Sequence, residues 1–383
     1  MNIFKDTEET ENLIAKAMIL LKQGVHKSRV IAMPVPEEIC EIAEARLRNE
    51  KIMKTSHQGL YFNLNDLRFA TNEKAANYRA KRLKCNTIIE IGSGIGLQSI
   101  AFAKECKKVI AIEVDKRKHE YAKQNAKILG IKNIEFINND ALKLEKIPKA
   151  DIIFCETERE AEEKERKIEN IKPDIKKLLK KYEKTTKDVC IELPPQIKDI
   201  PFDCEIEYLS VNHELNRLNL YFGELKKCKL SAVIAETGER LEGGRNSVSG
   251  LPSQSSEGSG KKQLEESKPL KFIHEADKAV EKAGLTGELK ADIFKWGEFL
   301  TSEKIIKSPF IKDSFEILKK CRNKPEAINA LNKANCGKVI LRYKIDPDKY
   351  WLERKAYEEK LEGEETLYLF AFGKEILACK KVI

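Results

Sequence analysis

Three glycines spaced two residues apart, Gly92, Gly94 and Gly96, follow a single acid, Glu90, set in the apolar run Thr87-Ile-Ile-Glu-Ile91. Glycines where a strand turns into a helix let the backbone pass close to a ligand with no Cβ in the way. A dinucleotide fingerprint needs Gly-x-Gly-x-x-Gly, and the place of its last glycine is taken here by Leu97. A pyrophosphate has no use for a carboxylate at Glu90, whereas a cofactor bearing an ammonium or sulfonium group does. A second apolar run, Lys108 to Asp115, ends on Glu113, at about the separation from the glycines where an acid meets ribose hydroxyls.

The pattern acidic-x-Gly-x-Gly-x-Gly resembles motif I of class I S-adenosylmethionine (SAM) methyltransferases, and Glu113 and Asn138-Asn139-Asp140 extend the likeness. The resemblance implies that Gly92, Gly94 and Gly96 line the methionyl and ribose part of SAM, with Glu90 near its ammonium end. It implies that Glu113 accepts hydrogen bonds from the ribose hydroxyls, with Asp115 as the competing acid. Asp140 is then expected at the adenine amino group, with Ala141 offering its backbone nitrogen to the ring; the alternative for Asp140 is a helix cap. Where many nucleic-acid amino methyltransferases carry Asp/Asn-Pro-Pro-aromatic, the register gives Glu156-Thr-Glu-Arg159. Glu156 and Arg159 are therefore the catalytic candidates, although without the prolines the rigid turn that holds a flipped base is lost. The competing reading is that these residues only begin a charged helix.

These residues need a doubly wound sheet to position them. Residues 1–65 read as helices: Leu13, Ile14, Ala17, Met18 and Leu21 fall at helical spacing, and Pro36 opens another helix. Residues 66–235 alternate strand and helix, with strands at Thr87–Ile91, Lys108–Asp115, Ile134–Asn138, Asp151–Cys155 and Asp188–Glu192. A charged helix is expected from about Glu160 to Tyr182, and a closing hairpin from Glu205–Val211 and Arg217–Phe222. Residues 236–268 contain the glycine- and serine-rich tract Gly243–Gly260 and read as a flexible linker. In residues 269–383 helical patterns resume from about Ala276, and the tail suggests a small α+β domain with a tight turn at Gly373-Lys374.

The blocks Ala70–Arg79, Glu207–Asn216, Leu220–Gly223, Ser308–Phe310 and the tail from Cys336 resemble one methyltransferase family with a THUMP-like C-terminal domain. That likeness implies an α/β fold: a Rossmann-like, seven-stranded class I methyltransferase sheet, N-terminal helices and a THUMP-like, ferredoxin-like C-terminal domain. Members of the family are regarded as RNA methyltransferases, so a structured RNA (tRNA or rRNA) is the implied partner and SAM the implied cofactor. The alternatives are methylation of a protein or small molecule, and a non-catalytic RNA-binding protein built on the SAM fold.

Bulk properties agree without deciding. The 383 residues carry a formal charge of +9 and 35% charged residues, which suits a polyanionic partner or simply a lysine- and glutamate-rich proteome. Ten scattered cysteines and five distant histidines suggest neither a disulfide framework nor a metal site. No run approaches membrane-spanning length, so a soluble, cytoplasmic protein is expected. Tyr61, Phe62, Phe69 and Tyr78 cluster before the glycines, as core or as a surface that stacks a base.

Overall fold

The structure, a computed structural model, describes residues 7–33, 35–157, 167–243, 264–289 and 292–382. The chain divides into two units: Met1–Val211 with Asn216–Leu230 and Ala235–Gly238, and Asn212–Leu215 with Ser231–Ile234 and Glu239–Ile383.

The first unit opens with helices α1 (Thr7–Lys22), α2 (Lys27–Ala32), α3 (Glu37–Ile52), α4 (Leu64–Phe69) and α5 (Glu73–Arg82). Strand β1 (Thr87–Ile91), helix α6 (Leu97–Glu105), β2 (Lys108–Glu113), α7 (Lys116–Ile128), β3 (Ile134–Asn138) and β4 (Ile152–Glu156) follow. Helix α8 (Ile175–Tyr182), β5 (Val189–Leu193), β6 (Glu205–Val211) and β7 (Glu214–Tyr221) complete it. These strands stand in the order β3-β2-β1-β4-β5-β7-β6 within a sheet of nine, two more than the seven expected. β1 lies parallel to both β2 and β4, so it is covered on both faces and takes an almost continuous apolar run. From β1 the chain winds outward through β2 and β3, then returns to β4 on the other side. That reversal opens a crevice beyond the carboxyl ends of β1 and β4, the usual place for a ligand in such sheets.

The N-terminal helices belong to this unit. Ile14, Ile39, Ile42 and Ala43 share a buried cluster with Tyr61, Ile95 of the glycine loop and Tyr121 of α7. Asn125 of α7 fastens the joint: its Oδ1 accepts from Tyr61 N at 2.7 Å, and its Nδ2 donates to Tyr61 O at 3.1 Å and Ile95 O at 3.0 Å.

The helix expected from about Glu160 is shorter. Residues 158–166 lie outside the described residues, a single 3-10 turn covers Ile168–Asn170, and α8 begins only at Ile175 behind its cap Asp174. Pro173 explains the late start, because the residue before a proline is pushed out of helical geometry.

The second unit holds an antiparallel pair, β8 (Leu230–Ile234) and β9 (Arg240–Glu242), and a seven-stranded sheet. The sheet is built from β10 (Phe272–Ala276), β11 (Phe294–Trp296), β12 (Phe299–Ser302), β13 (Ile311–Cys321), β14 (Cys336–Leu341), β15 (Glu365–Phe372) and β16 (Glu375–Lys381). Its order is β11-β12-β10-β13-β16-β15-β14, with helices α9 (Lys278–Ala283), α10 (Lys324–Lys333) and α11 (Tyr350–Glu358). The resumption of helix from Ala276 is thus a correction: α9 is only six residues long, and strands dominate to Cys321. Strand β13 hid itself because Ile311, Phe315 and Leu318 fall at helical spacing. In the structure Asp313 and Phe315 are buried, while Leu318 is 42% exposed past a register shift at Ile317/Lys319.

Among the described residues no helix is long and apolar enough to cross a membrane. All ten cysteines carry free thiols.

Candidate functional site

The loop between β1 and α6 makes three left-handed turns in five residues, with φ of 76° at Gly92, 53° at Gly94 and 84° at Gly96. Each glycine answers a different constraint. A Cβ on Gly92 would stand 2.6 Å from the carbonyl oxygen of Glu156, and one on Gly96 would stand 3.0 Å from Ala122 Cβ of α7. A Cβ on Gly94 would meet nothing within 4 Å. Gly92 and Gly96 clamp the loop between β4 and α7, and Gly94 faces open space. That open cradle is where a ligand can lie against bare backbone.

Two carboxylates, Glu90 and Glu113, stand on the strands β1 and β2 beside it. Glu90 is fully buried on β1; Ser99 of α6 donates to its Oε2 at 2.5 Å, while its Oε1 has no partner. Burial, with added repulsion from Glu156 and Glu113, holds its carboxyl well above the usual range despite the Ser99 bond. A buried unpaired carboxylate oxygen costs on the order of 1–3 kcal/mol, which a cationic ligand would relieve. Ser93 Oγ, in the loop itself, is likewise buried without a partner. Glu113 closes the other side: it accepts from Gly94 N at 2.7 Å and from Asp115 N at 2.8 Å. A carboxylate can accept from both hydroxyls of a vicinal diol. The competing acid, Asp115, is the N-cap of α7 and accepts from Lys118 N at 3.0 Å.

Asp140 and Ala141 follow β3, whose end is tied to Glu113 by Asn138 Nδ2 (2.8 Å) and Asn139 N (3.2 Å), both donating to its carbonyl. Asp140 accepts from Leu142 N at 2.9 Å, and no helix follows it, so it shapes a turn rather than capping one. The carbonyl of Ala141 accepts from Tyr182 of α8 at 3.1 Å. Val114, one residue past Glu113, is 67% exposed, an apolar surface that sequence reasoning missed.

At the end of β4, Glu156 is half-buried and accepts from Thr71 Oγ1 at 3.3 Å. Beside it in the register lies Glu192 of β5. Glu192 forms a buried ion pair with Arg79 of α5 and lies 2.6 Å from Arg217 Nε of β7. Arg79 also donates to Gln98 at 2.6 Å and Asn219 at 3.2 Å, and sits 4.6 Å from the Phe154 ring. The two carboxylates therefore part company. The two arginines outweigh burial and hold Glu192 below the usual carboxylate range, whereas burial and the Glu192 charge push Glu156 up to about 7. Lys54, which donates to the carbonyls of Leu67 and Arg68 at 2.7 Å, is lowered to about 8 by burial and by Arg217. Sequence reasoning missed Thr71, Arg79, Glu192 and Arg217 as a set, since they come from three segments far apart in the chain. The block Ala70–Arg79 was the available signal. Arg159 lies outside the described residues.

Residues 84–221 match the profile of a family described as Methyltransferase domain. An uncharacterized protein of Methanocaldococcus jannaschii is 39% identical over 71 residues, covering 18% of this chain and 27% of its own. The "Probable ribosomal RNA small subunit methyltransferase A" of Methanosphaera stadtmanae is 48% identical over 65 residues, 17% of this chain and 24% of its own. The chain thus spans about a quarter of the length of these curated relatives. A candidate methyltransferase of Porphyromonas gingivalis W83, solved as a crystal structure, superposes over 99% of both chains with a TM-score of 0.73 at 16% identity, a likeness of fold. The chain carries a class I methyltransferase domain, and that fold implies SAM as the methyl donor.

Proposed function

We propose that the protein is a SAM-dependent methyltransferase whose acceptor is a nucleotide of a structured RNA, a tRNA or an rRNA. The observation that carries the first half is the open face at Gly94, bounded by the unpaired oxygen of Glu90 and by Glu113. Two carboxylates beside bare backbone suit a ligand with a cationic group and a diol. In this reading Gly92, Gly94 and Gly96 hold the methionyl and ribose portion, Glu90 faces the ammonium group and Glu113 takes the ribose hydroxyls. Asp140 and Ala141 hold the adenine edge, and the exposed Val114 lies against its face.

SAM supplies a methyl group already activated on sulfonium, so the chain's task is alignment, exclusion of water and removal of one proton. Glu156 accepts the proton that the acceptor sheds as it gains the methyl group. A carboxylate that titrates near neutrality is well matched to this, and Glu192 holds Arg79 and Arg217 so that neither neutralises Glu156 directly. Arg159 is assigned with Glu156 to the catalytic step.

The RNA half rests on the charge of +9 and on the name of the M. stadtmanae relative, a ribosomal RNA methyltransferase. Residues 1–65 and the THUMP-like region 269–383 would then grip the RNA. The test is transfer of labelled methyl from SAM to total RNA from a strain lacking the gene. Wild-type protein labels the RNA, and Glu156→Ala lowers the rate by roughly 100-fold or more. Label found only in protein or small molecules contradicts the RNA acceptor.

A further inference from the structure

A methyltransferase that acts on a nucleobase must hold a flat ring at the mouth of its cofactor crevice, and the usual device is an aromatic at the end of the fourth strand. Here that strand ends in Glu156-Thr157, and the following residues, Glu158 to Arg166, include no aromatic. The ring must come from elsewhere in the chain.

Four aromatics cluster between residues 61 and 78, before the glycine loop, and the structure separates them. Tyr61 and Phe62 are buried, at 2% and 1% exposure. Tyr78 is engaged by its hydroxyl, which donates to Glu207 at 2.7 Å. Phe69 is the most exposed of the four, at 36%. It closes α4, and three bonds hold the segment around it beside the catalytic carboxylates. Lys54 Nζ donates to the carbonyls of Leu67 and Arg68 at 2.7 Å, and Arg217, the partner of Glu192, reaches the Phe69 carbonyl at 3.5 Å. Thr71, two residues on, donates to Glu156 at 3.3 Å. The Arg68 guanidinium lies 5.3 Å from the Phe69 ring centre. An exposed apolar ring beside a guanidinium matches a nucleobase and its phosphate, since the base stacks and the cation meets the negative charge.

We infer that Phe69, with Arg68, is the stacking platform for the methyl acceptor, and that the acceptor is a planar heteroaromatic base presented unstacked from RNA. This rests on the methyl-transfer reading above and adds to it the residue that selects a flat ring. It also accounts for the absent Pro-Pro-aromatic turn, whose role passes to a segment before the glycine loop.

The test compares wild type with Phe69→Ala, Phe69→Leu and Phe69→Trp. Methyl transfer to total RNA from the deletion strain is measured alongside the heat of SAM binding. Phe69→Ala and Phe69→Leu should raise KM for RNA roughly ten-fold or more, the order expected for one lost base–aromatic stack, while SAM heat is unchanged. Phe69→Trp should stay within about three-fold of wild type, because an aromatic face is retained. Transfer by Phe69→Ala or Phe69→Leu at the wild-type KM overturns the stacking role while leaving the methyltransferase reading intact. A loss that Phe69→Trp shares, or that comes with lost SAM heat, marks a merely structural residue and also overturns it. Wild-type protein that binds SAM yet leaves RNA unlabelled refutes the RNA acceptor and this inference together.

Discussion

At the scale of single residues, neighbouring carboxylates on adjacent strands meet opposite fates because their partners differ. Glu192 keeps its charge between Arg79 and Arg217, and Glu156, which accepts from the Thr71 hydroxyl, is left near its midpoint at neutral pH. A proton acceptor works only when deprotonated, so raising the pH through about 7 should raise the rate to a plateau. A pH–rate profile of the wild type should show this limb, and Glu156→Gln should lower the plateau and abolish the limb. A wild-type profile that is flat from pH 5.5 to 8.5, chosen as about 1.5 units either side of 7, would remove Glu156 from the proton transfer. The sequence could point to Glu156, since it ends a strand. It could not give the titration, which depends on Glu192, Arg79 and Arg217 folding in from far along the chain.

At the scale of elements, the β1–loop–α6 unit was legible because its signal is local. Ile88, Ile89 and Ile91 fit a strand covered on both faces, and the glycines sit where only left-handed backbone makes the turn. The structure adds that the glycines are not equivalent. Gly96→Ala forces a Cβ against the Ala122 backbone, 3.2 Å from its Cα, at a φ of 84°. It should lower stability by roughly 1–3 kcal/mol, read as a fall in Tm. An unchanged Tm would mean that the loop is not clamped against α7 as described. Other elements were less legible. Strand β13 carries apolar residues at helical spacing, and its strand character comes from pairing with β10 and β16, which are distant in sequence. Helix α8 starts late because Pro173 denies it the preceding residues.

At the scale of the whole molecule, the chain joins a methyltransferase unit with a second, sheet-rich unit whose core is its own. Phe315, Phe370 and Phe299 pack edge to face on one cluster, while Leu331, Val339 and Tyr357 form another under α10 and α11. Each unit can thus bury its own apolar surface. The account as a whole depends on SAM lying against the open face at Gly94. The most direct measurement is calorimetric titration of the full chain with SAM, wild type against Gly94→Asp. In the variant a carboxylate would project into the cradle beside Glu113, at a position with no atom within 4 Å and a φ of 53°, a left-handed conformation that Asp adopts more readily than most residues. The account predicts heat of binding for the wild type, and affinity weakened at least ten-fold, about 1.4 kcal/mol, for Gly94→Asp with its Tm within a few degrees of wild type. No heat from the wild type, or equal affinity in the two proteins, would contradict it.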